Sequence, residues 1–154
     1  MRLVPLIASV FLAAACASGP RTERPPVSLE WRPSWPGTQM AIVRGDPFAS
    51  GDFAFQFRMP AGYWIHPHRH PVDAHIRVVS GTFLLGEGSM MDTADVRVMR
   101  PGQSATVHSG MVHYEGAREE TVIEVVGTGT WGITFVDSTK DPARPANQGG
   151  PSLR

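Results

Sequence analysis

Turn-forming residues interrupt this chain about every 8–12 positions from residue 39 onward, and the runs between them are too short and too β-branched for helices. The segment Asp52-Phe53-Ala54-Phe55-Gln56-Phe57-Arg58 alternates in period two. Phe53, Phe55 and Phe57 share one face and mostly polar residues share the other, the pattern of a half-buried strand. Met40, Ile42 and Val43 form another run, followed by residues 76–79, 82–85, 96–99, 104–108, 121–126 and 130–136. Together these predict roughly nine or ten short strands and no helix. Such a set closes its apolar faces only as an all-β barrel or sandwich.

The ends of the chain do not fit that pattern. Met1-Arg2 is a minimal basic start, residues 3–15 are apolar but too short for a stable bilayer anchor, and Ala13-Ala14-Ala15 leads to Cys16. This reads as a secretory signal of lipoprotein type over residues 1–16. Cys16 is the only cysteine, and its place fits acylation of the thiol, although Ala13 stands where such sites usually carry leucine. Cleavage after Ala17 is the alternative. The expectation is therefore an exported, periplasmic chain anchored through lipidated Cys16, free of disulfides and held by core burial alone. Residues 17–38 are rich in proline, serine and arginine and read as an extended tether, with Trp31 and Trp35 packing on the domain edge. The barrel is assigned to 39–137, and the Pro- and Gly-rich residues 138–154 to a disordered tail.

Acidic and basic residues balance at 14 each, for a formal charge of zero. No basic stripe offers itself to nucleic acid, and membrane contact is assigned to the lipid anchor alone. Small molecules and metal ions are the partners this composition favours, with a second copy of the chain, as a homodimer, beside them.

All 6 histidines fall between residues 66 and 113, and His66, His68, His70 and His75 crowd a single stretch. Imidazole is the commonest protein metal ligand. Residues i and i+2 of a strand face the same way with Cα atoms about 6.6 Å apart, so His68 and His70 can share one ion. His66 and His70 would stand about 13 Å apart in an extended strand, so all three cannot easily do so. Pro67 and Pro71 restrict where this stretch can sit in a sheet. The natural third ligand is His113, in a segment that can run antiparallel beside the first.

At these positions the chain resembles the cupin superfamily. The first cupin motif, a glycine, His-x-His, a glutamate and a closing glycine, is matched by Gly62, His68, His70 and Gly81, with Ala74 in the glutamate place. The second motif is matched by Gly102, Gly110 and His113, with His108 in the proline place. The two motifs span about 62–113. Pro-His-x-His-Pro-x-Asp and the late Trp131-Gly132-Ile133-Thr134 look like small stand-alone bacterial cupins of undefined role. The resemblance implies a single small jelly-roll barrel with one divalent transition metal inside, held by His68, His70 and His113.

Ala74 removes the carboxylate that many cupins use as a fourth ligand. Two side chains compete for its role: His75, one residue along, and Glu115, two residues after His113 and on the same face of a regular strand. His75 is placed slightly ahead, although strict alternation turns it away from the face of Ala74. Asp73 reads as a turn carboxylate and His108 as an edge residue. Imidazoles suit zinc, iron, copper and nickel; a carboxylate tilts the set towards iron or manganese, and its loss makes zinc more credible. One functional reading is a metal-dependent enzyme of dioxygenase or isomerase type, with Glu115 or Tyr114 as acid/base partner. The other is a non-catalytic module that binds or senses a metal or small ligand.

Overall fold

The computed structural model describes residues 28–144. The signal with Cys16, the first part of the tether and the end of the tail, residues 145–154, lie outside the described residues. Eleven strands run in chain order: β1 (Arg32–Pro33), β2 (Gln39–Arg44), β3 (Asp52–Met59), β4 (Trp64–Arg69), β5 (Ala74–Ser80), β6 (Phe83–Glu87), β7 (Arg97–Met99), β8 (Ser104–Val107), β9 (His113–Ala117), β10 (Thr121–Thr128) and β11 (Thr134–Phe135). They pair antiparallel into two sheets, ordered β1-β2-β3-β10-β5-β8 and β11-β4-β9-β6-β7. The predicted all-β cupin jelly roll is therefore what forms. Among the described residues no helix is long and apolar enough to cross a membrane.

Alternation along β3 explains the core. Phe53, Phe55, Phe57 and Met59 are all buried, and β10 pairs with β3 along its whole length, from Thr121 opposite Met59 to Thr128 opposite Asp52. Phe53 and Phe55 lie 6.0 Å apart, and the Trp131 ring meets both nearly edge-on at 5.8 and 5.2 Å. Such edge-to-face contacts add to the area each ring buries. Between β5 and β6 the chain reverses at Gly81, whose φ is +77°. A side chain there would meet the Glu120 carbonyl and Thr121 as well as strain the backbone.

Residues 28–38 depart from the tether reading. Arg32 and Pro33 pair with Met40 and Gln39 as a short edge strand. The Arg58 guanidinium lies 4.0 Å from the Trp31 ring centroid, and Trp35 packs on Phe57 and Phe135 at 5.8 and 6.0 Å. Proline keeps this segment out of a sheet interior but not off an edge, where a missing N–H costs little. Two tryptophans then gain more by covering the barrel than by staying in water. At the other end, Ser138–Lys140 form a 3-10 turn capped by Asp137, whose Oδ1 accepts from Thr139 N at 2.9 Å.

Replacing Phe53 by alanine empties a fully buried site between two other aromatic rings. The expected loss is about 3–5 kcal/mol of unfolding free energy, read by equilibrium denaturation.

Candidate metal centre

The centre is built on β4 and β9, adjacent strands of the five-stranded sheet. Their register is interrupted: Ile65 stands opposite Glu115, but His68 rather than residue 67 stands opposite His113. One extra residue has been inserted at His66-Pro67, a β-bulge. Its consequence is specific. Ile65, His68 and His70 all line the same interior cavity, although an odd step from 65 to 68 would place them on opposite faces of a regular strand. The bulge rephases the strand and turns His68 inward, and Pro67 sits where a ladder hydrogen bond is lost in any case.

His68, His70, His113 and Glu115 are all buried, and one candidate ligand atom from each lies within 4.8 Å of all the others. Each imidazole is oriented by the backbone. His68 Nδ1 donates to the His66 carbonyl at 2.7 Å, His70 Nδ1 to the Gly132 carbonyl at 2.8 Å, and His113 Nδ1 to the Met111 carbonyl at 3.1 Å. A carbonyl oxygen only accepts, so every Nδ1 carries the proton and every neutral ring turns an Nε2 lone pair inward. This is the tautomer that ligation through Nε2 requires.

Those lone pairs have poor partners. His68 Nε2 is buried without a hydrogen bond, and the nearest charge, Glu115 Oε1, is 3.5 Å away. His113 Nε2 lies 3.2 Å from the same oxygen. With Nδ1 already donating, that contact is favourable only when something positive lies between the two atoms. Burial works against charge on His113, but the hydrogen bond and negative charge of Glu115 outweigh it and hold His113 above the ordinary imidazole range. Burial likewise works against the Glu115 carboxylate, yet His113 and His68 hold it far below the usual range. Burial pushes His70 down to about 4. Glu115 thus favours a proton on His113; with a divalent cation in that proton's place, three neutral imidazoles and one carboxylate would face the ion, the orphaned His68 Nε2 among them. The residues fit a metal ion.

The cluster opens into a cavity of about 210 Å³, with Trp35, Phe55, Phe57, Trp131 and Ile133 on its walls and His68, His70 and Glu115 at its polar end. Trp131 also stacks on His70, centroids 4.0 Å apart at 26°. Neither this contact nor the Gly132 carbonyl follows from strand alternation. Trp131-Gly132 was visible only as part of a family-like motif, with no role attached to it.

Other sequence candidates are placed elsewhere. His75 is exposed and its Nδ1 lies 2.9 Å from Thr106 Oγ1, which corrects its choice as the replacement ligand. The reason is the regular alternation of β5: Ala74, Ile76 and Val78 turn inward, so His75 turns out. The fourth ligand position belongs instead to Glu115, so the carboxylate comes from β9 rather than β5. Tyr114 is also corrected as an acid/base partner. It sits between His113 and Glu115 on the opposite face of β9, and its hydroxyl donates to Asp92 O at 2.9 Å and accepts from Asp92 N at 3.1 Å. His66 contributes its carbonyl rather than its ring. Asp73 accepts from Ser109 N at 2.7 Å and pairs with exposed His108 at 3.3 Å, away from the cluster.

Two antiparallel sheets closed around three histidines and a glutamate define a small cupin barrel. The chain belongs to the ChrR cupin-like domain family, which matches residues 25–132. A search of the curated proteins found no match. Among solved structures the fold is similar to KdgF from Halomonas sp., at 24% identity and a TM-score of 0.53 over 64% of this chain and 86% of that one. It is also similar to the polyketide cyclase RemF from Streptomyces resistomycificus, at 19% identity and a TM-score of 0.59 over 80% of this chain and 89% of that one. A variant of salicylate 1,2-dioxygenase from Pseudoaminobacter salicylatoxidans matches at 13% identity and a TM-score of 0.50, over 60% of this chain and 26% of that one.

Elemental analysis of the purified barrel should find one transition-metal ion per chain. His68→Ala and His113→Ala should reduce it to background, and His75→Ala should leave it unchanged. Glu115→Gln, which keeps the shape but removes the charge, should weaken metal affinity by roughly tenfold or more, since even outer groups around a metal are worth that much.

Proposed function

We propose that this protein is an exported cupin, anchored through Cys16, that holds one divalent transition metal on His68, His70, His113 and Glu115 and presents it to a small molecule in the adjoining cavity. The observation that carries this reading is a buried cluster of three histidines and a glutamate, with an unpartnered imidazole nitrogen, at the end of an apolar cavity. A carboxylate among the ligands tilts the preference towards iron or manganese over zinc. When bound, the ion supplies Lewis acidity or oxygen activation, which suits dioxygenase- or isomerase-type turnover.

The residues of the chain divide the remaining work. Glu115 lowers the net charge of the site. The carbonyls of residues 66, 111 and 132 lock the imidazoles, and Trp131 braces His70. The apolar walls keep bulk water from the reacting end. RemF is a polyketide cyclase and salicylate 1,2-dioxygenase is an oxygenase, so this fold carries cyclase and oxygenase activities in other proteins, but at these identities the likeness extends to the fold alone.

A non-catalytic binding or sensing role is favoured by a different observation. Besides the cluster itself, the side chains with polar groups that line the cavity are Ser34 at the exposed mouth and Trp35 and Trp131, whose indole N–H groups do not titrate. Proton transfer would then fall to Glu115 or to a group the ligand brings.

Metal at a free concentration 100 times its Kd should raise stability by about 2.7 kcal/mol, visible as an upward shift in Tm. A melting temperature indifferent to iron, manganese, zinc, nickel and copper would remove both readings. Oxygen uptake or isomerised product from the iron-loaded protein separates catalyst from binder. Labelled fatty acid should be incorporated by the wild-type chain expressed in a bacterium and not by Cys16→Ser; equal labelling of both would exclude the anchor.

A further inference from the structure

The walls of the cavity restrict what can enter it. At about 210 Å³ it holds about seven waters at liquid density and is smaller than the roughly 300–1,000 Å³ of drug-sized pockets. That is room for a single ring with small substituents. No lysine, arginine, aspartate, asparagine or glutamine lines it. A phosphate, a second carboxylate or an ammonium group held away from the metal end would lose its hydration and find no counter-charge. The several hydroxyls of a sugar would fare little better, because each would need a partner the walls do not have.

Charge at the closed end points the same way. Three neutral imidazoles, one carboxylate and a divalent ion sum to a single positive charge. One anionic oxygen on the ligand would neutralise it inside a low-dielectric cavity, and a second would overshoot. The walls themselves are aromatic. The Trp131 ring, stacked on His70 and met by Phe55 nearly edge-on, and the Trp35 ring against Phe57 offer faces and edges to a flat guest.

Resting on the metal-centre reading above, we propose that the cavity binds a small single-ring aromatic molecule that places one anionic oxygen, of the phenolate type, at the metal and keeps an apolar body against Trp131 and Trp35.

The test uses the protein loaded with cobalt(II), whose visible absorption reports a change in its ligands, with cobalt content measured separately. Titration with 4-nitrophenol should perturb the cobalt bands and quench tryptophan fluorescence at concentrations about tenfold or more below those needed for malonate, inorganic phosphate or glucose. Trp131→Leu should weaken 4-nitrophenol binding by about tenfold or more. Because Trp131 also touches His70, Trp35→Leu serves as a second variant that does not contact the ligands; it should weaken the phenol while leaving cobalt content at one per chain. Malonate, phosphate or glucose binding as tightly as 4-nitrophenol would overturn the inference, as would an unresponsive spectrum in protein carrying one cobalt per chain. In both cases the metal reading would stand. Failure to take up cobalt or any other divalent metal would instead remove the metal reading and this inference with it.

Discussion

Glu115 carries a negative charge into the interior of the barrel, and the rest of the centre is arranged around that fact. A buried carboxylate must be paired or its burial becomes very costly. The nearest groups are imidazole nitrogens of His113 and His68, at 3.2 and 3.5 Å. Both rings already spend their Nδ1 protons on backbone carbonyls, so in neutral form they offer lone pairs to a carboxylate oxygen. The conflict is relieved by positive charge at the centre of the four side chains, either as protons or as an ion. The four side chains are placed so that a metal ion could take the place of those protons.

Orientation of the ligands depends on backbone more than on side chains. Carbonyls of His66, Met111 and Gly132 hold the rings, and they come from the bulge in β4, the turn before β9 and the loop after β10. The bulge at His66-Pro67 turns His68 to the interior. Remote segments therefore set the geometry: the loop that carries Gly132 also supplies Trp131, which both braces His70 and walls the cavity. Metal chemistry and ligand choice are in this way coupled through one loop.

Much of this was legible in the residues. The alternation of β3 named its own core face, and Ser80-Gly81 marked its turn because only a residue without a side chain fits the positive φ and the close approach of Glu120 and Thr121. The pairing of His68 with His70 followed from period two, and the family-like spacing added His113. Elsewhere, spacing along the chain is a poor guide to space. His75 lies next to the position of the missing glutamate in sequence, but alternation places it outside the barrel. Tyr114 lies between two inward residues and points away for the same reason. Trp31 and Trp35 pack on the domain edge as their place in the tether suggests, whereas proline content gave no sign that Arg32 and Pro33 would pair as an edge strand.

By itself, the sequence determined an all-β barrel or sandwich, the strand faces that fill it and the pairing of His68 with His70, because period-two alternation and turn residues act locally; the resemblance to cupins added the barrel and His113. Only the tertiary structure decided that Glu115 rather than His75 joins the three histidines, that a bulge turns His68 inward, and that Trp131 and Gly132 hold His70. Those outcomes depend on register between strands and on contacts across as many as 62 residues of chain, and alternation within one strand does not say which faces of different strands meet.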